Sequence, residues 1–75
     1  MKNLKEYTVK ISEKFIGKKY IVDVIRANKR IDTFEGTIVV PDIVFTRVKS
    51  GDLLALFIYD ENIGMLNEQF IEVKI

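Results

Sequence analysis

Histidine and cysteine are both absent from this chain, and that removes much of the chemistry a small protein performs. Without cysteine there is no disulfide and no thiol nucleophile. Without either residue a structural zinc site loses its ordinary ligands. General acid–base catalysis near neutral pH draws most often on histidine. The serines, Ser12 and Ser50, lie in no nucleophile-elbow pattern and have no histidine to activate them. The four glycines, Gly17, Gly36, Gly51 and Gly64, stand alone, so no glycine-rich loop cradles a phosphate. The eleven acidic residues always offer some carboxylate pair, but a domain this small does not shape a sugar cleft around one. Asp60 and Glu61 lack the spaced oxygen ligands of a calcium loop. The expectation is a protein that is not an enzyme, with no cofactor and no metal.

Long apolar runs are missing too. The longest, Leu53 to Tyr59, is far short of the ~20 residues that cross a bilayer. No basic stretch followed by an apolar one opens the chain, so no secretory signal is read. A soluble protein of the cytoplasm, or of a virion interior, is expected.

What is present is globular in character: 48% of residues are apolar and 31% charged, unlike a disordered segment. Seventy-five residues make one domain, spanning 1–75. A chain of this size buries only about 60% of its unfolded surface, and with no disulfide or zinc to brace it, a partner chain is the remaining support. A homo-oligomer is therefore expected.

Period-two patterning dominates. Tyr7, Val9 and Ile11 alternate with Thr8, Lys10 and Ser12, which favours a strand. Leu4, Tyr7, Ile11 and Phe15 also fall at helical spacings, so residues 4–16 stand open between strand and one short helix, with strand preferred. Tyr20, Val22 and Val24 alternate with Ile21, Asp23 and Ile25, which puts Asp23 on a wet face. Ala27-Asn28-Lys29 reads as a turn, followed by a return strand from Arg30 to Val40 with Phe34, Gly36, Ile38 and Val40 on one face. Gly36 inside that strand marks a bulge or bend. Pro41-Asp42 ends it. Ile43 to Val48 reads as a strand and Lys49 to Asp52 as a turn. Leu53 to Tyr59 is apolar on both faces, as in a central strand or one covered by a second chain. Gln69 to Ile75 alternates again, with Ile71, Val73 and Ile75 inward and the last strand tied into the sheet. The expected class is all-β, or mainly β with one short N-terminal helix, folded as a small, strongly bent antiparallel barrel of the SH3/Sm-like or OB-like kind.

Charge is split along the chain. Residues 1–30 carry nine basic and three acidic side chains, net +6, and residues 31–75 carry three against eight, net −5. Lys18, Lys19, Arg26, Lys29, Arg30, Arg47 and Lys49 are the candidate nucleic-acid contacts, as phosphate-binding groups. Lys18 and Lys19 belong at one end of the barrel and Arg26, Lys29 and Arg30 at the other. The competing reading makes these residues solubilising charges that also guard strand edges. Leu54, Leu56, Ile58 and Phe70 are the candidate oligomer contacts. Phe70 alternates with Glu72 and Lys74, opposite the Ile71-Val73-Ile75 face, and so is expected on the surface.

The stretch from Gly17 to Val48, with Gly36, Ile38 and Asp42 in a bent strand and its exit, resembles the Sm and bacterial Hfq-type small barrels. That resemblance implies a ring-forming oligomer that binds single-stranded RNA. No RNA-contacting motif accompanies it, so no functional residue is carried over. Gly36 to Pro41 followed by Gly51-Asp52 also looks like the swapped-hairpin DNA-binding regulators of the AbrB and MazE type, and Pro41 with Gly51-Asp52 is similar to TRAM and OB-type barrels. Three functions follow as expectations. The first is a non-catalytic module that binds nucleic acid, RNA foremost, single-stranded RNA or DNA being the ligand. The second is a protein–protein adaptor or virus-encoded inhibitor, and the third a dimeric DNA-binding regulator. Convergence of the basic residues on one face favours nucleic acid. Their scatter favours the adaptor.

Overall fold

The computed structural model describes residues 6–75. Leu4 of the alternative helical stripe, and Lys2 and Lys5 of the basic half, lie outside them. Strands β1 (Tyr7–Lys10), β2 (Lys19–Arg26), β3 (Lys29–Thr37), β4 (Asp42–Phe45), β5 (Leu53–Asp60) and β6 (Gly64–Glu72) carry the fold, with one 3-10 turn at Glu13–Phe15. The protein is mainly β. No helix among the described residues is long and apolar enough to cross a membrane.

The strands form two antiparallel sheets, a pair in the order β1-β4 and a sheet of four in the order β3-β2-β5-β6. The expected closed barrel is not formed among the described residues: β3 and β6 end the larger sheet without meeting. The small sheet lies over one face of the large one. Val9, Ile43 and Phe45 from the pair join Val22, Val24, Leu54, Leu56 and Ile58 in a single core, and Phe45 meets the Phe34 ring edge-on at 5.4 Å.

The ambiguous first segment resolves as strand then turn. Val9 and Ile11 are buried while Thr8 and Lys10 are exposed. Phe15 reaches the core from the 3-10 turn that Ser12 caps through its hydroxyl. The β2–β3 hairpin turns on Ala27 and Asn28, with φ of +53° and +65°. Two consecutive left-handed residues make the tight turn whose twist matches that of the flanking strands.

No bulge falls at Gly36, which pairs in register with Tyr20. The irregularity lies between Val24 and Ile25, where Ile25 faces Arg30 and Val24 faces Asp32, leaving Ile31 as the extra residue of a bulge. Gly36 instead makes room for Tyr20, since a Cβ there would lie 3.3 Å from that ring. β3 also ends at Thr37, three residues before the expected Val40. Ile38 is pulled into the core, its carbonyl accepting from Gly17 N–H and its own N–H donating to Lys18. Val40, expected on the same face as Ile38, is exposed.

The expectation that Leu54, Leu56 and Ile58 meet a second chain is corrected. They are 0%, 1% and 0% exposed within this one chain. β5 runs between β2 and β6 in the larger sheet and turns these three residues into the core. β6 begins at Gly64, five residues before the expected Gln69. The Asp60 carboxylate accepts from the N–H groups of Asn62 and Ile63, and Gly64 takes φ +104°, so the turn closes at once into a strand. Past β6, Val73 is fully buried and exchanges backbone hydrogen bonds with Gly51 and Asp52. Ile75, expected inward, is half exposed.

Candidate binding surface

Strand alternation sends even-numbered residues of β2 and β5 into the core, and odd-numbered ones to the opposite face. That outer face has no second layer among the described residues. The molecule is only 16 Å through its thinnest direction, room for two layers packed about 10 Å apart and no third. Along β5 the outer face shows Leu53, Ala55, Phe57 and Tyr59. From β2, Ile25 stands opposite Leu53 and Ile21 opposite Phe57. From β6, Phe70 stands opposite Ala55 and Met65 opposite Tyr59. The result is one apolar stripe along the middle of the sheet.

Phe70 is the most accessible aromatic of that stripe, 60% exposed. Its ring meets Phe57 edge-on, centroids 6.4 Å apart and planes at 88°, an arrangement aromatic pairs favour. Phe70 was legible as an exposed residue from its alternation with Glu72. The companions Ile21, Ile25, Leu53 and Phe57 were not singled out. The signal for two of them was present: a strand that puts Asp23 on a wet face puts Ile21 and Ile25 there as well.

The basic candidates do not gather. Arg26 points to the core side and donates Nε and Nη2 to the two carboxylate oxygens of Asp52, each at 2.8 Å. Asp52 is 2% exposed and also accepts from the Lys49 backbone N–H at 2.9 Å. Those hydrogen bonds, Arg26 first, hold the Asp52 carboxyl below its usual range against the opposing effect of burial, and they raise Arg26. Lys18 donates Nζ to Asp60 at 2.8 Å, which lowers the Asp60 carboxyl. Two of the seven candidates are therefore already engaged by acids.

Lys19 is half-buried on the outer face between Thr37 and Tyr59. Lys29 and Arg30 are exposed at the hairpin end, and Arg47 and Lys49 on the loop entering β5. The Asp52 contacts bring Lys49 to the Arg26 end. β2 has eight residues, so Lys18 and Lys19 sit about 20–25 Å from that cluster at strand rise. The basic residues occupy two ends of the sheet, with Lys18 and Lys19 at one and Arg26, Lys29 and Arg30 at the other, and not one concave face.

A hollow of about 80 Å³ is lined by Gly17, Lys18, Lys19, Tyr59 and Asp60 to Asn62. It is well under the roughly 300 Å³ at which small-molecule sites begin. Among the described residues no cluster of three or more acidic side chains is placed to hold a metal ion. No protein-family model matches the chain, and no curated protein or solved structure matches it significantly.

Proposed function

We propose that the protein is a non-catalytic binding module that engages another protein through the outer face of its four-stranded sheet. The observation that carries this reading is Phe70, 60% exposed and braced against Phe57 in an apolar stripe that no other layer covers among the described residues. Aromatic anchors of this kind dominate the energetics of protein interfaces. The division of the basic residues between two ends supports the adaptor reading over a phosphate-binding groove. The test is co-purification from nuclease-treated lysate, comparing the native protein with Phe70→Asp. A partner held by the native protein and lost from the variant supports the reading. Partners that ignore the substitution, or vanish with nuclease, overturn it.

A second reading keeps nucleic acid as ligand, bound by a homo-oligomeric, Sm-like assembly. Lys29, Arg30, Arg47 and Lys49 support it, all exposed and none in an ion pair within 4.0 Å among the described residues. It requires affinity for single-stranded RNA that falls steeply with salt and weakens in Lys29→Glu/Arg30→Glu. Absence of RNA binding at low salt removes it.

A further inference from the structure

The outer face carries charge in a pattern that restricts what can cover it. Asp23 and Glu35 lie on the β2–β3 side of the apolar stripe, and Glu68 and Glu72 on the β6 side. The cross-strand pairs fix these places: Asp23 opposite Ala55, Glu35 opposite Ile21, Glu68 opposite Phe57, Glu72 opposite Leu53. None of the four has a cation within 4.0 Å among the described residues. Asp23 accepts a hydrogen bond from the Thr33 hydroxyl at 3.0 Å. The cations of this face are Lys19 beside Tyr59 and Arg30 beside Ile25, at opposite ends, with Lys74 following Glu72 in the same alternation past the end of β6. Four carboxylates against these three leave the face at net −1 among the described residues, with the acids along both flanks of the stripe.

Any apolar segment laid along the stripe takes water from the carboxylates on both flanks. Dehydrating an ionised group without a counter-charge is costly, so the occupant has to bring cations on both sides of its own apolar surface. A second copy of this chain brings the same acid-lined flanks and sets acids against acids. A nucleic-acid backbone brings phosphates to the same carboxylates. The length of the stripe narrows the choice further. From Leu53 to Tyr59 it runs for six strand steps, about 20 Å, which is the length of about 13 helical residues. A helix with an apolar stripe is also the element that ordinarily covers the free face of a sheet.

Resting on the protein-binding reading above, we infer that the outer face of β3-β2-β5-β6 receives an amphipathic helix of another protein, about 13 residues long, whose Leu- or Phe-rich stripe packs on Phe57 and Phe70 and whose flanking Lys or Arg side chains pair with Asp23, Glu35, Glu68 and Glu72. Oppositely charged rims set partner choice as well as contributing affinity.

The test uses the full chain, isotopically labelled for amide NMR, and three synthetic 14-residue peptides. One has a Leu/Phe stripe with Lys/Arg flanks. The second has the same stripe with Glu flanks. The third is the first one scrambled so that no stripe remains. The expected result is that the basic striped peptide shifts the amides of Ile21, Phe57 and Phe70 and binds at least about tenfold more tightly than the other two. In Glu35→Lys/Glu68→Lys/Glu72→Lys the preference inverts toward the acidic peptide, and circular dichroism verifies that the variant is folded. Equal binding of both striped peptides at these amides overturns the charge assignment and leaves the protein-binding reading standing. Equal binding of the scrambled peptide overturns the helix. No shift of these amides by any peptide, or their burial in a dimer of the free chain seen by sedimentation, overturns both.

Discussion

Arg26 and Asp52 face each other through two parallel hydrogen bonds of 2.8 Å, a fork of two donors on two acceptors. Arg26 closes β2 and Asp52 immediately precedes β5. The same Asp52 receives Lys49 N–H on its side chain and Val73 N–H on its carbonyl. The nearly inaccessible carboxylate thereby ties the first hairpin and the β4–β5 loop to one point, while the backbone carbonyl of the same residue holds the chain beyond β6.

Asp52→Ala removes that point. Hydrogen bonds to a charged group contribute about 1.5–3 kcal/mol. Half-exposed Arg26 recovers hydration when its partner is lost, so a cost of about 2 kcal/mol is expected. For a domain of this size that lowers the thermal midpoint by roughly 8–16 °C. Lys18→Ala, which breaks the more accessible pair with Asp60, should change the midpoint little. Calorimetry on both variants checks the contrast, and equal effects contradict it.

Acid should loosen the same contact. Arg26 lowers the Asp52 carboxyl in the folded chain, and Lys18 lowers Asp60. A carboxyl that ionises more easily folded than unfolded gives its full stabilisation above the unfolded value, about 3.9. That stabilisation is lost as pH falls through the lower folded value. The midpoint of the native protein should therefore decline below about pH 4. In Asp52→Asn the decline should be shallower, because one of the two linked protons is gone. Parallel curves for the two proteins exclude Asp52 as a source of the pH dependence.

The hairpin turn leaves room for improvement. Ala27 holds φ +53°, a conformation that costs a residue with a Cβ about 1–2 kcal/mol. Asn-Gly is the pair that this turn type favours. Ala27→Asn/Asn28→Gly should stabilise the domain by about 1 kcal/mol, seen as a rise of roughly 4–8 °C in the midpoint. No rise means that the turn is not strained.

Leu56 and Phe70 should differ widely in the cost of truncation. Leu56, 1% exposed, loses about 2–5 kcal/mol on replacement by alanine, a large fraction of the stability of a small domain. Phe70→Ala removes a mostly exposed ring and should cost no more than about 0.5 kcal/mol. Urea unfolding of each variant measures the difference. A large loss at Phe70 assigns it to the fold and not to a docking face.

Much of this architecture could be read from alternation. The Tyr7 and Tyr20 strands alternate with a period of two, and Val9, Ile11, Val22 and Val24 are buried on the face that the alternation marks. What alternation could not supply was how the strands come together. Closure of a barrel depends on non-local pairing between β3 and β6, and nothing in either segment encodes its absence. Leu54, Leu56 and Ile58 illustrate the same limit. An apolar strand reads identically whether its second face meets its own core or another chain. Gly36 was noticed for the right reason, missing bulk, but the beneficiary is the Tyr20 ring across the ladder. Phe70 was legible because charged neighbours alternate with it. The flanking acids Glu35 and Glu68 became neighbours of one stripe only through the cross-strand register, a property of four strands at once.

The larger sheet ends in β3 and β6, each nine residues long and each with one side of its backbone unpaired among the described residues. These two edges differ, so a contact between β3 of one copy and β6 of the next leaves a free β6 and a free β3 for further copies. Such head-to-tail pairing has no built-in end and grows into a filament. Lys29, Arg30, Asp32 and Glu35 on one edge, and Glu68 and Glu72 on the other, put formal charge into each such junction. Those charges are what the fold itself sets against such edge-to-edge pairing.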